Sequence, residues 1–233
     1  MDERTRTILE AVIKEFIVSG EPVSSEQIYR KYGFDVKPAT IRNELHTLSL
    51  EAFLEQPYTS GGRVPTDKAY RFFVERVFEG LHSNMLEPRE YAFALCEILE
   101  QGTIRNFVSG VSDALRAVGV GYGEAGNVVK SGLDELIDEL IEHNELSDMH
   151  DVATIVHDIE MLDERMENML NFVGRGKPCV FIGKSPITKS SHLSVIADSF
   201  EMHGKPFLFA AIGSKRMDYA ENIRLFLRLK SHA

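Results

Sequence analysis

The sequence is poor in cysteine and has no long apolar run. Two cysteines among 233 residues, Cys96 and Cys179, are too few for a disulfide framework and lack metal-ligand spacing. The sequence contains no run of about 18 apolar residues, so it predicts no membrane-spanning helix. The N-terminal stretch MDERTRTILE is charged where a signal peptide is apolar. We therefore expect a cytoplasmic protein that does not enter a membrane.

The sequence also lacks the residue groupings of common enzyme and metal sites. No nucleophile, base and acid form a recognisable catalytic arrangement, and Cys179 lies in an apolar segment where its thiol is expected to be inert. His143, His150 and His157 are seven residues apart. On one helix this spacing separates neighbours by about 10 Å, too far to share a metal ion. We expect no enzymatic activity, no metal and no cofactor.

One glycine pattern leaves an alternative open. Residues 121–126, GYGEAG, satisfy G-x-G-x-x-G, the dinucleotide-binding fingerprint, which needs a strand before it and a helix after it. The preceding segment is a poor strand because two glycines interrupt it. We favour a glycine-rich turn at a strand end, and keep as the alternative a metabolite- or dinucleotide-responsive regulator that uses the Gly121–Gly126 turn.

Negative charge is concentrated in the last two thirds of the chain. The formal net charge is -10, yet residues 1–76 contain 11 Lys and Arg against 12 Asp and Glu. The acidic total argues against non-specific nucleic-acid binding. The near-neutral first third remains compatible with a DNA-binding domain.

Local signals predict two helices at the start of the chain. Apolar residues at helical spacing indicate a helix over 3–19, which Gly20 ends. Ser24 and Gln27 form a capping box, so a second helix is expected from about 25 to 32.

A third helix and a β-hairpin are predicted next. Pro38 suits the first turn of a helix, and Ile41, Leu45 and Leu48 fall at i, i+4 and i+7 on its buried side. Short apolar strands flank the turn at 57–62, PYTSGG. Three helices followed by a hairpin are typical of the winged helix-turn-helix.

The outward face of the third helix carries polar residues suited to DNA. Asn43 and His46 point away from the buried stripe, and Arg42 flanks them; Asn can read adenine and Arg can read guanine. Gly61 and Gly62 permit close backbone approach and Arg63 adds a charge. Surface solvation is the simpler alternative for each residue alone, whereas their combination favours DNA contact. The candidate DNA-binding residues are Lys37, Thr40, Arg42, Asn43, His46, Thr47, Tyr58, Ser60, Gly61, Gly62 and Arg63.

The same region resembles the heat-inducible transcription repressor family, HrcA. The resemblance rests on VKPATIRNELHTL, LEQPYTSGGRVPTDKAYRFFV and GEPVSSEQI in the first 75 residues, and on IGSKRMDYAENI at 212–223. It implies a homodimer that binds an inverted-repeat operator ahead of chaperone genes and represses them, with the chaperonin GroEL supporting its affinity for double-stranded DNA. The chain departs from the family pattern at four positions, Ser49, Ala52, Tyr58 and Ser214.

For the remainder, the resemblance implies a GAF-like α/β domain with an inserted dimerising segment. We predict domains 1–82 and 83–233, the second of α/β (α+β) class and reduced, with an acidic helical insert at about 129–173. Only three strands are expected there, around 118–122, 179–183 and 206–212. Because so small a sheet offers little cover, we expect apolar insert residues to contact a second chain. The candidates are Leu162, Met166, Met169 and Leu170.

Overall fold

The computed structural model describes residues 1–58, 61–80, 90–123, 126–142, 146 and 149–232. The chain divides into two compact units, Met1–Gly80 (unit 1) and Leu81–Ala233 (unit 2). Ser60 and His143, both named above, lie outside the described residues, as does the predicted domain boundary at 82 and 83.

Unit 1 begins with the helices α1 (Glu3–Ser19), α2 (Ser25–Tyr32) and α3 (Pro38–Leu50). Their ends follow local signals. Gly20 adopts φ +68° and ends α1. The Ser24 hydroxyl accepts from the Gln27 N–H while the Gln27 side chain accepts from the Ser24 N–H, which confirms the predicted capping box. Pro38 occupies the first turn of α3, where its missing N–H costs no helical bond.

The three helices enclose an apolar core. Its members from α1 include Ile8, Leu9, Val12 and Ile13, and α2 adds Ile28. From α3 the buried residues are Ile41, Leu45 and Leu48, which confirms the stripe predicted from their spacing. The buried side of α3 therefore fixes which residues face solvent.

A two-stranded hairpin follows α3. Strands β1 (Leu54–Glu55) and β2 (Val64–Pro65) pair antiparallel. The bridge between Val23 and Arg63 extends this pairing to the segment that joins α1 and α2. Helix α4 (Asp67–Gly80) then buries Ala69, Tyr70, Phe73 and Val74.

Unit 2 contains a five-stranded sheet, within the described residues, and helices on both of its faces. Its elements in chain order are α5 (Glu90–Gln101), α6 (Ile104–Leu115), β3 (Val118–Tyr122), β4 (Val128–Ser131), α7 (Leu133–Glu142), α8 (Met149–Glu160), α9 (Leu162–Arg165), a 3-10 turn (Met166–Met169), β5 (Cys179–Ile182), β6 (Leu193–Met202), β7 (Lys205–Ser214) and α10 (Tyr219–His232). The strand order is β4-β3-β7-β6-β5, and every neighbouring pair is antiparallel.

The two faces of this sheet have different cores. One face packs aliphatic residues such as Val120, Val195 and Ile212 against α7, α8, α9 and the 3-10 turn. On the other face the Phe107 ring of α6 contacts the rings of Phe200, Phe207 and Phe209, and Phe226 of α10 contacts Phe209. Both faces are thereby buried within the chain.

The predicted strand content of unit 2 was too low. The structure adds β4 and β6 to the three predicted strands. β4 lies inside the predicted insert, so its helical part begins only at Leu133. Residues 193–198 of β6 are all buried, because helices cover both faces, and such a strand lacks the alternation that identifies one in a sequence.

The larger sheet also overturns the predicted role of three insert residues. Leu162, Met166 and Met169 are fully buried in the core formed with the sheet. Their burial therefore needs no second chain. Leu170 differs, since 51% of it is exposed. The premise of a sheet too small to cover the insert was wrong.

Within the described part of the chain, no helix combines the length and apolarity needed to cross a bilayer.

Candidate nucleic-acid interface

The outward face of α3 is open to solvent. Arg42, Asn43, His46 and Thr47 are all exposed, on the side opposite the buried stripe. The Thr47 hydroxyl donates to the backbone carbonyl of Asn43 at 3.2 Å, which leaves its oxygen lone pairs facing outward. These four side chains offer cationic, amide, imidazole and hydroxyl groups within two helical turns.

The start of α3 places backbone and cationic groups beside this face. Lys37 is the N-cap residue, makes no side-chain capping bond and is exposed. Thr40 is half-buried, and its N–H donates to the Lys37 carbonyl at 2.9 Å. A helix N-terminus with an adjacent lysine suits an anion such as a phosphate group.

A carboxylate on the flank of α3 holds this helix to α1. Glu44 accepts a hydrogen bond from Arg4 Nη2 at 2.7 Å and another from Thr5 Oγ1 at 2.8 Å. Thr5 is buried and Glu44 is half-buried. Sequence reasoning missed Glu44 because its partners lie about 40 residues away, and only its position between the buried and exposed faces hints at this role.

The hairpin, residues 54–65, has an exposed aromatic ring, and two glycines make close backbone contacts in it. Tyr58 is 72% exposed, and its carbonyl accepts from the Gly61 N–H at 2.9 Å. A Cβ on Gly62 would lie 2.5 Å from the carbonyl carbon and oxygen of Pro22. Gly62 is thus required for contact with the α1–α2 segment, which is a different reason from the one the sequence suggested.

Arg63 lies at the base of the hairpin and is half-buried. Its backbone N–H donates to the Val23 carbonyl and its carbonyl accepts from the Val23 N–H, both at 2.8 Å. Its side-chain Nε donates to Ser49 Oγ in the last turn of α3 at 3.0 Å. The predicted cation therefore contacts the unit itself through Nε.

Two further residues near this surface were not among the predicted site residues. Leu50, the last residue of α3, is 76% exposed and continues the line of Asn43 and Thr47 at helical spacing, a signal the sequence does contain. Ala52, between α3 and β1, has φ +60°. This is a left-handed backbone conformation, which costs free energy for residues other than glycine.

The elements around the glycine pattern at 121–126 are not those of the dinucleotide fingerprint. Gly121 lies within β3, and the antiparallel strand β4 follows the turn, where the fingerprint requires a helix. A Cβ on Gly121 would lie 2.8 Å from side-chain carbons of Ile104 and Val108. The glycine lets α6 pack closely on β3, and the dinucleotide part of the alternative based on this turn lacks the helix that its fingerprint requires.

The cysteines and potential metal ligands of unit 2 were also candidates in the sequence. In the part of the chain that the structure describes, no three His, Cys, Asp or Glu side chains come together as metal ligands. Burial raises the pKa of the Cys179 thiol, the charge of Asp198 adds to the rise, and together they bring it to about 11. A thiol with so high a pKa is mostly protonated at neutral pH, in line with the inert cysteine expected from its segment.

Comparison with known proteins gives a family and a fold. A family model described as the HrcA protein C terminal domain matches residues 73–223. The heat-inducible transcription repressor HrcA of Thermodesulfovibrio yellowstonii is 54% identical over 88 residues, which is 37% of this chain and 25% of that protein. The corresponding repressor of Chloroflexus aggregans is 48% identical over 89 residues, 38% of this chain and 24% of that protein. The chain thus spans about a quarter of the length of these relatives.

A solved structure shares the fold along the whole chain. It is described as the crystal structure of a hypothetical protein, superimposes with a TM-score of 0.79, and the match covers 100% of this chain and 98% of that one at 16% identity. At that identity the likeness concerns the fold alone.

Proposed function

The chain belongs to the HrcA family, and we propose that it is a DNA-binding transcriptional repressor whose unit 1 is a winged helix-turn-helix. In this proposal α2 and α3 form the helix-turn-helix, α3 enters the major groove, and the hairpin is the wing. The observation that carries the proposal is the open face of α3, where Arg42, Asn43, His46 and Thr47 are exposed beside the hairpin.

The site residues divide into two groups by chemistry. Arg42, Asn43, His46 and Thr47 read or approach base edges in the major groove. The residues assigned to phosphate and sugar contacts, or to the approach of the wing, are Lys37, Thr40, Tyr58, Ser60, Gly61, Gly62 and Arg63. Contacts of the second group set the position of the protein on the duplex and carry little sequence information.

The regulated genes and partners are proposed from the family resemblance. We place a homodimer on an inverted repeat ahead of heat-shock chaperone genes, since a two-fold dimer presents two α3 helices to two half-sites. GroEL is proposed to support DNA affinity, and the repressor to act in the cytoplasm as a non-enzymatic protein. The reduced GAF-like assignment of unit 2 has the same basis.

Titration of the full chain onto labelled duplexes tests this function. Fluorescence anisotropy compares the inverted repeat typical of the family with a scrambled duplex of equal length and composition. We expect at least 10³-fold tighter binding to the inverted repeat, the lower end for specific DNA-binding proteins. Equal affinity for both duplexes would contradict the proposal.

One variant tests the assignment of α3. Asn43→Ala removes a side chain that can pair bidentately with adenine, so we expect a loss of about 1–3 kcal/mol on the inverted repeat and much less on the scrambled duplex. The matched control is Asn106→Ala, an asparagine in the first turn of α6 in unit 2, for which we expect unchanged DNA binding. Equal losses for Asn43→Ala on both duplexes would show that Asn43 positions the protein without reading sequence.

A further inference from the structure

The Arg63 side chain bonds within unit 1, and this direction carries an inference about its role. Arg63 Nε donates to Ser49 Oγ at 3.0 Å, and the Arg63 backbone pairs with Val23 in both directions at 2.8 Å. One residue therefore joins the hairpin to the last turn of α3 and to the α1–α2 segment. By contrast, Arg42 on the outward face of α3 is exposed.

The hydroxyl of Ser49 is oriented to receive this bond. Ser49 Oγ donates its single proton to the Leu45 carbonyl at 2.9 Å, so its lone pairs remain to accept from Arg63. Ser49 is half-buried on α3, one turn beyond Leu45 of the buried stripe. The bond thus connects a hairpin cation to a helix that the core of unit 1 already holds in place.

The close contact at Gly62 strengthens the same connection. Only a residue without a side chain fits there, because a Cβ would lie 2.5 Å from the Pro22 carbonyl. Backbone pairing, close backbone contact and the side-chain bond to Ser49 therefore all act at Gly62 and Arg63. Together they determine the angle at which the hairpin leaves the helices.

We propose that Arg63 is a positioning residue, which sets the hairpin against α3 through Ser49 so that both reach the duplex in a fixed relation. This inference rests on the proposed DNA-binding function and refines the role of one residue in it. A wing held in this way reaches the phosphates or groove beside the major groove that α3 occupies. A wing without the bond samples several angles, and binding must then supply the cost of ordering it.

Four variants of the full chain separate positioning from a direct phosphate contact. They are Ser49→Ala, Arg63→Ala, Arg63→Lys and the double Ser49→Ala/Arg63→Ala. Positioning predicts about 3- to 10-fold weaker binding to the inverted repeat for each, the range expected for one hydrogen bond, with an unchanged salt slope. The double variant should lose no more than either single variant, since both remove one link. Arg63→Lys should behave as Arg63→Ala, because lysine keeps the charge but lacks Nε.

A direct phosphate contact predicts the opposite pattern. Arg63→Ala would then lower the magnitude of the salt slope by about one, Arg63→Lys would bind nearly as the unaltered chain does, and Ser49→Ala would have no effect. That pattern overturns the proposal. Two variants are matched controls. Arg71→Ala removes an exposed cation on α4. Thr7→Ala removes an exposed hydroxyl on α1 that donates to the Glu3 carbonyl.

A readout without DNA distinguishes failure of this inference from failure of the proposed function. The Nε–H signal of Arg63 in nitrogen-15 NMR should be protected from hydrogen exchange in the unaltered chain and lose at least 10-fold of that protection in Ser49→Ala. Ser49→Glu should restore it, since a carboxylate accepts the same bond more strongly. Unchanged protection in Ser49→Ala overturns the link whatever the DNA result. If the link is present and the unaltered chain binds no inverted repeat, the proposed function alone fails.

Discussion

The two units of this protein use their polar side chains differently. In unit 2, Asp158 is 1% exposed and accepts from Arg165 Nη1 at 2.6 Å and from the backbone N–H groups of Lys189 and Ser190 at 2.7 and 2.8 Å. The buried Asp198 accepts from Lys230 Nζ at 2.6 Å. Asp158 thus joins α8 to α9 and to the loop between β5 and β6, and Asp198 on β6 holds α10 to the sheet.

In unit 1, Arg76 of α4 and Lys31 of α2 form ion pairs with α1, and the polar contacts of α3 lie along the edges of its outward face. Glu44 accepts hydrogen bonds from two residues of α1, and Ser49 accepts one from Arg63. The face of α3 between them carries exposed Arg42 and Asn43. The comparison indicates that unit 1 is built to present a surface, whereas the buried charges of unit 2 serve its own stability. The predictions below test that division, starting with the largest expected effect.

Removing the buried carboxylate should destabilise unit 2 strongly. Asp158→Ala leaves Arg165 and two backbone N–H groups without their acceptor, so we expect a loss of about 3–5 kcal/mol in the free energy of unfolding. Hydrogen exchange read by mass spectrometry should show the loss in unit 2 peptides and little change in unit 1. The control is Asp163→Ala, which removes an exposed carboxylate from its ion pair with half-buried Lys130, and we expect a loss of about 0–1 kcal/mol. Equal effects of the two variants would contradict the division.

Adjacent residues in the insert test whether its apolar side chains belong to the core. Met169 is fully buried and Leu170 is 51% exposed. Met169→Ala should cost about 2–5 kcal/mol of unfolding free energy, whereas Leu170→Ala should stay within about 0.5 kcal/mol. Urea titration followed by circular dichroism measures both. If Met169→Ala instead yields a stable monomer from a dimer, the residue lies at an interface after all.

Relieving backbone strain should stabilise unit 1. Ala52 has φ +60°, and glycine there removes the left-handed penalty of about 1–2 kcal/mol, less about 0.4–1 kcal/mol for the greater freedom of the unfolded chain. We expect Ala52→Gly to gain about 0.5–1 kcal/mol in thermal or urea unfolding. The control has the opposite sign: Ala94→Gly, on the exposed side of α5, should lose about 0.5–1 kcal/mol. Loss of stability in Ala52→Gly would show that the strain is absent.

The same contrast explains which features the sequence predicts. The helices of unit 1 follow signals a few residues apart, such as Ser24 with Gln27 and the stripe of Ile41, Leu45 and Leu48, so the ends of α1 and α2 and the buried face of α3 were predicted correctly. β6 was missed because its assignment depends on pairing with β5 and β7 and on helices covering both faces. None of these leaves a local pattern.

The candidate site shows the same limit. The exposed face of α3 follows from helical geometry once its buried stripe is known. The bonds of Arg63 to Ser49 and of Glu44 to Thr5 join residues 14 and 39 positions apart, and no spacing rule connects them. Residue types and spacing therefore predicted the outward face of α3. The hydrogen bonds that fix α3 and the hairpin are visible only in the folded chain.

Thiol chemistry reports on one unit through the pH dependence of its stability. Both cysteines lie in unit 2, Cys96 on α5 and Cys179 on β5. Burial and the charge of Asp198 raise the pKa of Cys179 from 9.0 to about 11, so above pH 9 the folded chain keeps a proton that the unfolded chain loses. The contribution of this thiol is fully present below pH 9, and the stability of unit 2 should fall as pH rises from about 9 to about 11. Urea titrations of the unaltered chain and Cys179→Ala at pH 8 and pH 10.5 measure this, and the fall should be smaller in the variant. Equal falls in unfolding free energy for both proteins would assign the pH dependence to other groups. A matching fall in the stability of unit 1, which has no cysteine, would contradict the independent stability of the two units.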